Sequence, residues 1–399
     1  MITYQTYKSL PVLLKNAGAY SALGGMRMRR GYPPVWLSAL LLTLALLWRM
    51  VGAPLSAEQL QEVQTPLWQA RVLLPSRMAR VLRLWLPGEK QNPPQSIRED
   101  GMDADAAAME RLTDGGGGAY ISVYMTEENR LTQMTLEGYV CGVVAAEMPA
   151  AYHMEALKAQ AVAARTRAVK QMQGDGCALH EGADICTDSA HCQGYATPDE
   201  CKARWGTEYE VYRDRVVEAA QATRDELMTY GGQPITVVYH AISGGRTEDA
   251  QTVFSQSEPY LVSVESQGEE DARGFQEDMT LTYKEIGEKL GEALGGKPIS
   301  ADEVKRTLTI WEYTDTGRVK SMQVNGQVIA GTAFRSALGL RSTWFSLSTD
   351  ENGVTFHQRG YGHGVGMSQA GANGMAADGA DYAQILTHYY PGVTIEKTE

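Results

Sequence analysis

From residue 35 to residue 48 the chain reads VWLSALLLTLALLW, with no charge and almost no polar side chain. With the uncharged residues 31–34 the run reaches 18 residues, enough for a helix to cross a bilayer core of about 30 Å. Arg27, Arg29 and Arg30 precede it, and basic residues favour the cytoplasmic side. The pattern predicts a cytoplasmic segment (1–34), a single transmembrane anchor (35–51) and an extracytoplasmic remainder in the cell membrane. A cleaved signal peptide ending near Val51, Gly52 and Ala53, or a buried core helix, are the competing readings of the same run. Residues 52–87 mix apolar and basic positions, and residues 88–118, with Pro93, Pro94 and Gly115 to Gly118, lack the apolar content to pack a core. The segment 52–118 therefore reads as juxtamembrane chain and flexible linker.

A folded domain is expected from 119 to 399. Residues from Ile121 alternate as a strand and turn at Glu127, Glu128 and Asn129. Thr135 is placed to cap a helix in which Leu136, Tyr139, Val140, Val143 and Val144 recur at helical spacing, until Pro149 stops it. A second helix spans residues 154–172, with Leu157, Ala161, Ala164 and Ala168 inward. Further helices are expected near 213–223, 282–294 and 381–390, with strand pairs around Gly231 and Gly232 and through residues 307–329. Helices and hairpins mix without a βαβ repeat, which argues the α+β class, helices and antiparallel strands forming a substrate cleft.

Composition adds one exclusion. Residues 1–57 hold six basic and no acidic side chains, so the remaining 30 Lys and Arg face all 48 Asp and Glu. An acidic body repels phosphate, and no nucleic-acid partner is expected.

Several residues stand out for chemistry. Glu147, four residues after Val143, inherits the apolar face of its helix. It is either a solvated helix-end carboxylate or a desolvated acid whose pKa rises toward that of a general acid. Arg165 sits among alanines, exposed or poised toward a site. The run YHAISGGRT carries His240, Ser243 and Thr247 into a glycine turn, and Tyr260 follows beside Pro259. GYGHGVGMSQ holds His363 and Gln369 on a tight glycine path entering a helix; it lacks the Lys-Ser/Thr of a phosphate loop. Cys177, His180, Cys186, His191, Cys192 and Cys201 crowd one loop. Zinc takes four N or S ligands, and disulfides are the alternative outside the cytoplasm. No HExxH pattern occurs, since Asp184 stands where its second histidine would, so a zinc hydrolase is disfavoured.

The stretch from Leu136 to Ala168, including EMPAAYHMEALKAQAVAARTRAV, resembles the stage II sporulation protein D family, also called SpoIID/LytB. YHAISGGRTEDAQTVF, SEPYLVSVES and FHQRGYGHGVGMSQAGANGMAADGADYAQILTHYYPGVTI match it in the same order. The resemblance implies a peptidoglycan lytic transglycosylase acting on denuded glycan strands in forespore engulfment. Such an enzyme cleaves the bond between N-acetylmuramic acid (MurNAc) and N-acetylglucosamine (GlcNAc) and leaves 1,6-anhydro ends. It makes Glu147 the catalytic acid and Arg165, His240, Ser243, Thr247, Tyr260, His363 and Gln369 substrate-side residues. It implies a zinc ion on His180, Cys186 and Cys192, whose spacing matches the clostridial-type arrangement, with Cys177, His191 or a water as the fourth ligand. It also implies two partners, the stage II sporulation protein P amidase and a membrane scaffold, at the mother-cell membrane facing the forespore. The LytB branch supplies the alternative function, a non-catalytic amidase enhancer that binds cell wall.

Overall fold

The computed structural model describes residues 119–294 and 296–398. The expected cytoplasmic segment, anchor and linker (1–34, 35–51 and 52–118) lie outside the described residues.

Strands β1 (Tyr120–Met125) and β2 (Arg130–Thr135) form a hairpin, and Asn129 takes the left-handed conformation its tight turn requires. Helix α1 (Leu136–Glu147) begins where Thr135 Oγ1 accepts a hydrogen bond from the Gly138 amide at 3.1 Å. Pro149 has no amide hydrogen to extend it. Helix α2 (Met154–Gln173) packs its alanines directly against α1 and against α4 (Tyr209–Ala222). Between them run β3 (Ile185–Cys186) and α3 (Pro198–Trp205), capped reciprocally by Thr197 and Glu200. Strands β4 (Glu226–Tyr230), β5 (Gln233–Pro234) and β6 (Tyr239–His240) and the short helix α5 (Ala250–Phe254) follow.

The chain then builds a second hydrophobic core around Ile286, Val304, Met322, Phe334, Val354 and Phe356. Strand β7 (Gln276–Thr282) leads into helices α6 (Tyr283–Ala293) and α7 (Ala301–Thr307). Strands β8 (Thr309–Tyr313), β9 (Val319–Val324) and β10 (Gln327–Ala330) make one antiparallel sheet, followed by α8 (Gly331–Leu338). Strands β11 (Phe345–Thr349) and β12 (Gly353–Arg359) close a second sheet with β7.

The remaining elements rejoin the first core: β13 (Met367–Ser368), α9 (Gln369–Ala377), α10 (Tyr382–Tyr389) and β14 (Thr394–Lys397). The α+β expectation holds for the described residues, with two additions. Strand β3 pairs parallel to β1, and β13 pairs parallel to β6. Both are two-residue strands contributed by distant chain, too short for a periodic signal. The second parallel pair sets Ser368 beside His240 and so delivers the N-terminus of α9 to the end of α1.

Candidate active site

Glu147 is the last residue of α1 and is half-buried. Its Oε1 accepts the Gly194 amide hydrogen at 2.8 Å, and Oε2 lies 3.5 Å from Gln369 Nε2. Loss of hydration raises the carboxyl pKa; the two hydrogen bonds and the Arg167 charge oppose this with less effect. Among the described residues, the groups that shift it include one cation and no carboxylate. The helix end is fastened by Arg204, whose Nη1 donates to the Ala145 carbonyl at 2.9 Å.

Gly194 fits because it is glycine: a Cβ there would stand 2.9 Å from Glu147 Oε1. Gln369, at the start of α9, also donates to Gln160 Oε1 at 3.3 Å. Arg167 donates to the carbonyls of Val237 at 2.9 Å and His191 at 3.2 Å, tying α2 to both loops around the acid. Sequence reasoning missed Gly194, Gln160 and Arg167. The one available signal was a glycine directly after the cysteine loop.

His363 is half-buried, near His240 and Phe254 with ring centroids 5.5 and 5.3 Å away. Its Nδ1 accepts the Val365 amide hydrogen at 3.1 Å, and burial pulls its pKa down to about 4, so it is a neutral ring at physiological pH. The structure thus brings Glu147 and Gln369 together, with half-buried His363 on the loop leading into β13.

The other expected substrate residues are structural. Arg165 is 1% exposed and donates to both carboxylate oxygens of buried Glu137, at 2.7 and 2.6 Å, to the Ala220 carbonyl at 3.1 Å, and more loosely to the Glu226 carbonyl and the Thr223 hydroxyl at 3.4 and 3.5 Å. It therefore has no hydrogen left to offer glycan without breaking a buried ion pair. Thr247 is fully buried and uses its hydroxyl on the backbone of Val264. Tyr260 is buried; its hydroxyl accepts the Thr236 amide hydrogen at 3.0 Å, and its ring packs on Tyr230, so it presents no stacking face. Ser243 is buried against Glu269, which gathers Ser243, Gly245, Ser266 and Ser368. His240 is buried and neutral, its Nδ1 held 3.0 Å from the Val365 carbonyl. Gly244 and Gly245, with φ of 88° and 108°, do permit a close approach, but to Arg359 and Trp344.

The cysteine loop gathers Cys177, Cys186, Cys192 and His191, all ligand atoms within 4.8 Å of one another. All three cysteines are free thiols, and His191 Nδ1 lies 3.6, 3.5 and 3.2 Å from their sulfurs. A tetrahedral zinc with bonds of about 2.3 Å to sulfur and 2.0 Å to nitrogen sets sulfur–nitrogen separations of about 3.5 Å, so this donor set fits zinc. His180 does not join it. Its ring stacks on Tyr124 at 3.7 Å and 11°, and the fourth donor is His191.

A family model described as stage II sporulation protein matches residues 124–230. Stage II sporulation protein D of Bacillus subtilis (strain 168) is 36% identical over 279 residues, 70% of this chain and 79% of that protein. The chain belongs to the stage II sporulation protein D family. The Bacillus amyloliquefaciens protein of the same name is 34% identical over the same proportions. An amidase enhancer of Bacillus subtilis (strain 168) is 29% identical over 311 residues, 64% of this chain but 40% of that protein. Within the family match lie α1, α2 and the cysteine loop, the elements that present Glu147 and Gly194.

Proposed function

We propose that this family member is a sporulation protein that degrades cell wall as a peptidoglycan lytic transglycosylase, with Glu147 its catalytic acid. The observation that carries the reading is a single desolvated carboxyl held by neutral donors. Most glycosidases divide the work between two carboxylates. A lytic transglycosylase manages with one, because the C6 hydroxyl of the MurNAc unit attacks C1.

Protonated Glu147 gives its proton to the glycosidic oxygen as the C1–O bond breaks. As carboxylate it then takes the C6 hydroxyl proton while the C6 oxygen bonds to C1, closing the 1,6-anhydro ring and restoring the acid. Oε1 is committed to the Gly194 amide at 2.8 Å, whereas Oε2 has only the 3.5 Å contact to Gln369; Oε2 is the oxygen that carries the proton. Both donors stabilise the carboxylate formed midway, and His363 stands by as an uncharged sugar contact.

The ligand set Cys177, Cys186, His191 and Cys192 would hold one zinc. Four protein ligands leave no open position, so the metal serves structure: it would pin the loop that presents Gly194. The protein works anchored by residues 35–51 in the mother-cell membrane facing the forespore, its catalytic domain extracytoplasmic. It acts on strands whose stem peptides the stage II sporulation protein P amidase has removed, with a membrane scaffold joining the two.

Purified glycan incubated with the protein should yield anhydro-MurNAc ends by mass spectrometry, and Glu147→Gln, correctly folded, should yield none. Retained cleavage by that variant would sink the proposal. The likeness to an amidase enhancer supports a second reading, a cell-wall-binding modifier. It predicts no cleavage of glycan alone, and undiminished stimulation of an amidase by Glu147→Gln.

A further inference from the structure

The sheet of β11, β12 and β7 ends in a cavity of about 460 Å³ whose walls include Tyr313, Trp344, Gln276, Asp278, His357 and Arg359. Arg359 is the guanidinium in its lining and Asp278 the carboxylate. The Arg359 guanidinium carbon lies 5.0 Å from the Phe275 ring centroid and 5.1 Å from that of Trp344. The same indole ring has the Arg318 guanidinium 4.9 Å away. Arg318 is committed, donating to the carbonyls of Ser243 at 2.7 Å and Arg246 at 2.9 Å. Arg359 is not: the Nε of both arginines is buried without a partner, but among the described residues the Arg359 guanidinium has ring contacts and no hydrogen-bond or ion-pair partner at all.

A guanidinium offers five donors in a planar fork shaped for a carboxylate, and the Arg359 terminal nitrogens, which are not buried, are open to a ligand's acceptor. The acid in the cavity wall does not supply it: Asp278 pairs through Oδ1 with His357 Nδ1 at 2.9 Å, and among the described residues it makes no hydrogen bond or ion pair with Arg359. Tyr313, 52% exposed, adds an open aromatic face of the kind on which a sugar ring packs. Gly244 and Gly245 let the loop after β6 pass against Trp344 and Arg359; a Cβ on either would stand 3.0 Å from the Arg359 side chain.

We infer that this cavity is a second glycan subsite that binds a carboxylate, with Arg359 as its anchor and Tyr313 as its sugar platform. The source of the carboxylate rests on the glycan reading above. A MurNAc unit stripped of its stem peptide bears a free lactyl carboxylate, and a stem peptide left in place bears carboxylates of its own. A neutral chito-oligosaccharide has none.

The test uses the full chain carrying Glu147→Gln, so that bound glycan is not consumed, and calorimetric titration with three probes of equal sugar length: denuded MurNAc–GlcNAc tetrasaccharide, the same tetrasaccharide with stem peptides, and chitotetraose. Denuded glycan should bind about tenfold to a hundredfold tighter than chitotetraose, the contribution of a charge-assisted pair. Added Arg359→Gln should abolish that ratio, Arg359→Lys should keep part of it, and Tyr313→Ala, at an exposed position, should weaken both glycans. An Arg359-dependent preference for the peptide-bearing probe upholds the carboxylate site and makes the peptide its source. A ratio near one in the parent for both the denuded and the peptide-bearing probe, or a ratio surviving Arg359→Gln with an unchanged melting temperature, overturns the inference. Product analysis of the unmutated protein is a separate readout. Absent anhydro ends with the ratio intact remove the lytic reading and leave the subsite, and the converse removes only the subsite.

Discussion

Gly194→Ala perturbs the Glu147 carboxyl, the proposed acid, while sparing the fold. Gly194 does not occupy the left-handed region, so alanine meets no backbone penalty, and the unfolded chain loses freedom worth about 0.4–1 kcal/mol in favour of the folded state. The new methyl group would stand 2.9 Å from Glu147 Oε1, where ordinary contact begins near 3.4 Å. The carboxylate must retreat by roughly half an ångström, which stretches the 2.8 Å bond from the Gly194 amide to about 3.3 Å and weakens it. A hydrogen bond to a charged acceptor is worth about 1.5–3 kcal/mol, so losing about half of it should lower turnover roughly threefold to tenfold, with little change in melting temperature. The pH profile should move too. The Gly194 bond lowers the Glu147 pKa against the dominant effect of burial; weakening it raises that pKa further. A general acid acts while protonated, so the alkaline limb of kcat should shift to higher pH. The assay is initial-rate release of anhydro-MurNAc ends across a pH series, with unfolding followed by circular dichroism. Unchanged turnover and an unmoved alkaline limb would refute the claim that this amide holds the acid.

Three further outcomes follow from the same geometry. Glu147→Gln removes a desolvated acid whose folded pKa lies above its unfolded value. The wild type loses stability as pH rises from about 4.3 through the folded pKa, so the variant should melt higher than wild type at neutral pH, the gap closing on acidification; an equal gap at both ends argues against a raised pKa. Glu137→Gln leaves buried Arg165 without its counter-charge and should cost about 3–5 kcal/mol in denaturant unfolding; a loss below about 1 kcal/mol would return Arg165 to the exposed, substrate-side reading. Elemental analysis should find one zinc per chain, lost with His191→Ala and kept with His180→Ala, and chelation should lower the melting temperature. Metal retained by the first variant would reject the ligand set.

The parts legible in sequence are those whose causes are local. Thr135 and Thr282 cap the helices expected after them, because a cap depends on four consecutive residues. The cysteines at 177, 186 and 192 were recognisable from spacing within one loop. Their histidine was not, because His180 and His191 sit in the same loop and the choice is made by Tyr124, whose ring takes His180 out of the cluster. Arg165 and Arg167 pose the same problem on a helix. Two residues apart, they point to different sides, one into an ion pair with Glu137 and the other toward the loops around Glu147.

Spacing along α1 could not decide whether Glu147 is a solvated helix end or a general acid, because the groups that decide it are remote. Gly194 comes from a loop 47 residues later and Gln369 from a helix 222 residues later. What places Gln369 there is the parallel bridge of Ser368 to His240, made by a strand with no periodic signal. Glu269 reinforces the bridge by accepting from both Ser243 and Ser368. Those buried hydroxyls, expected to touch substrate, therefore reach the chemistry at one remove: they fix where α9 begins, and so how far Gln369 stands from the acid. A change at Ser243 or Ser368 that lowers turnover is consequently no proof of glycan contact unless binding of glycan falls with it.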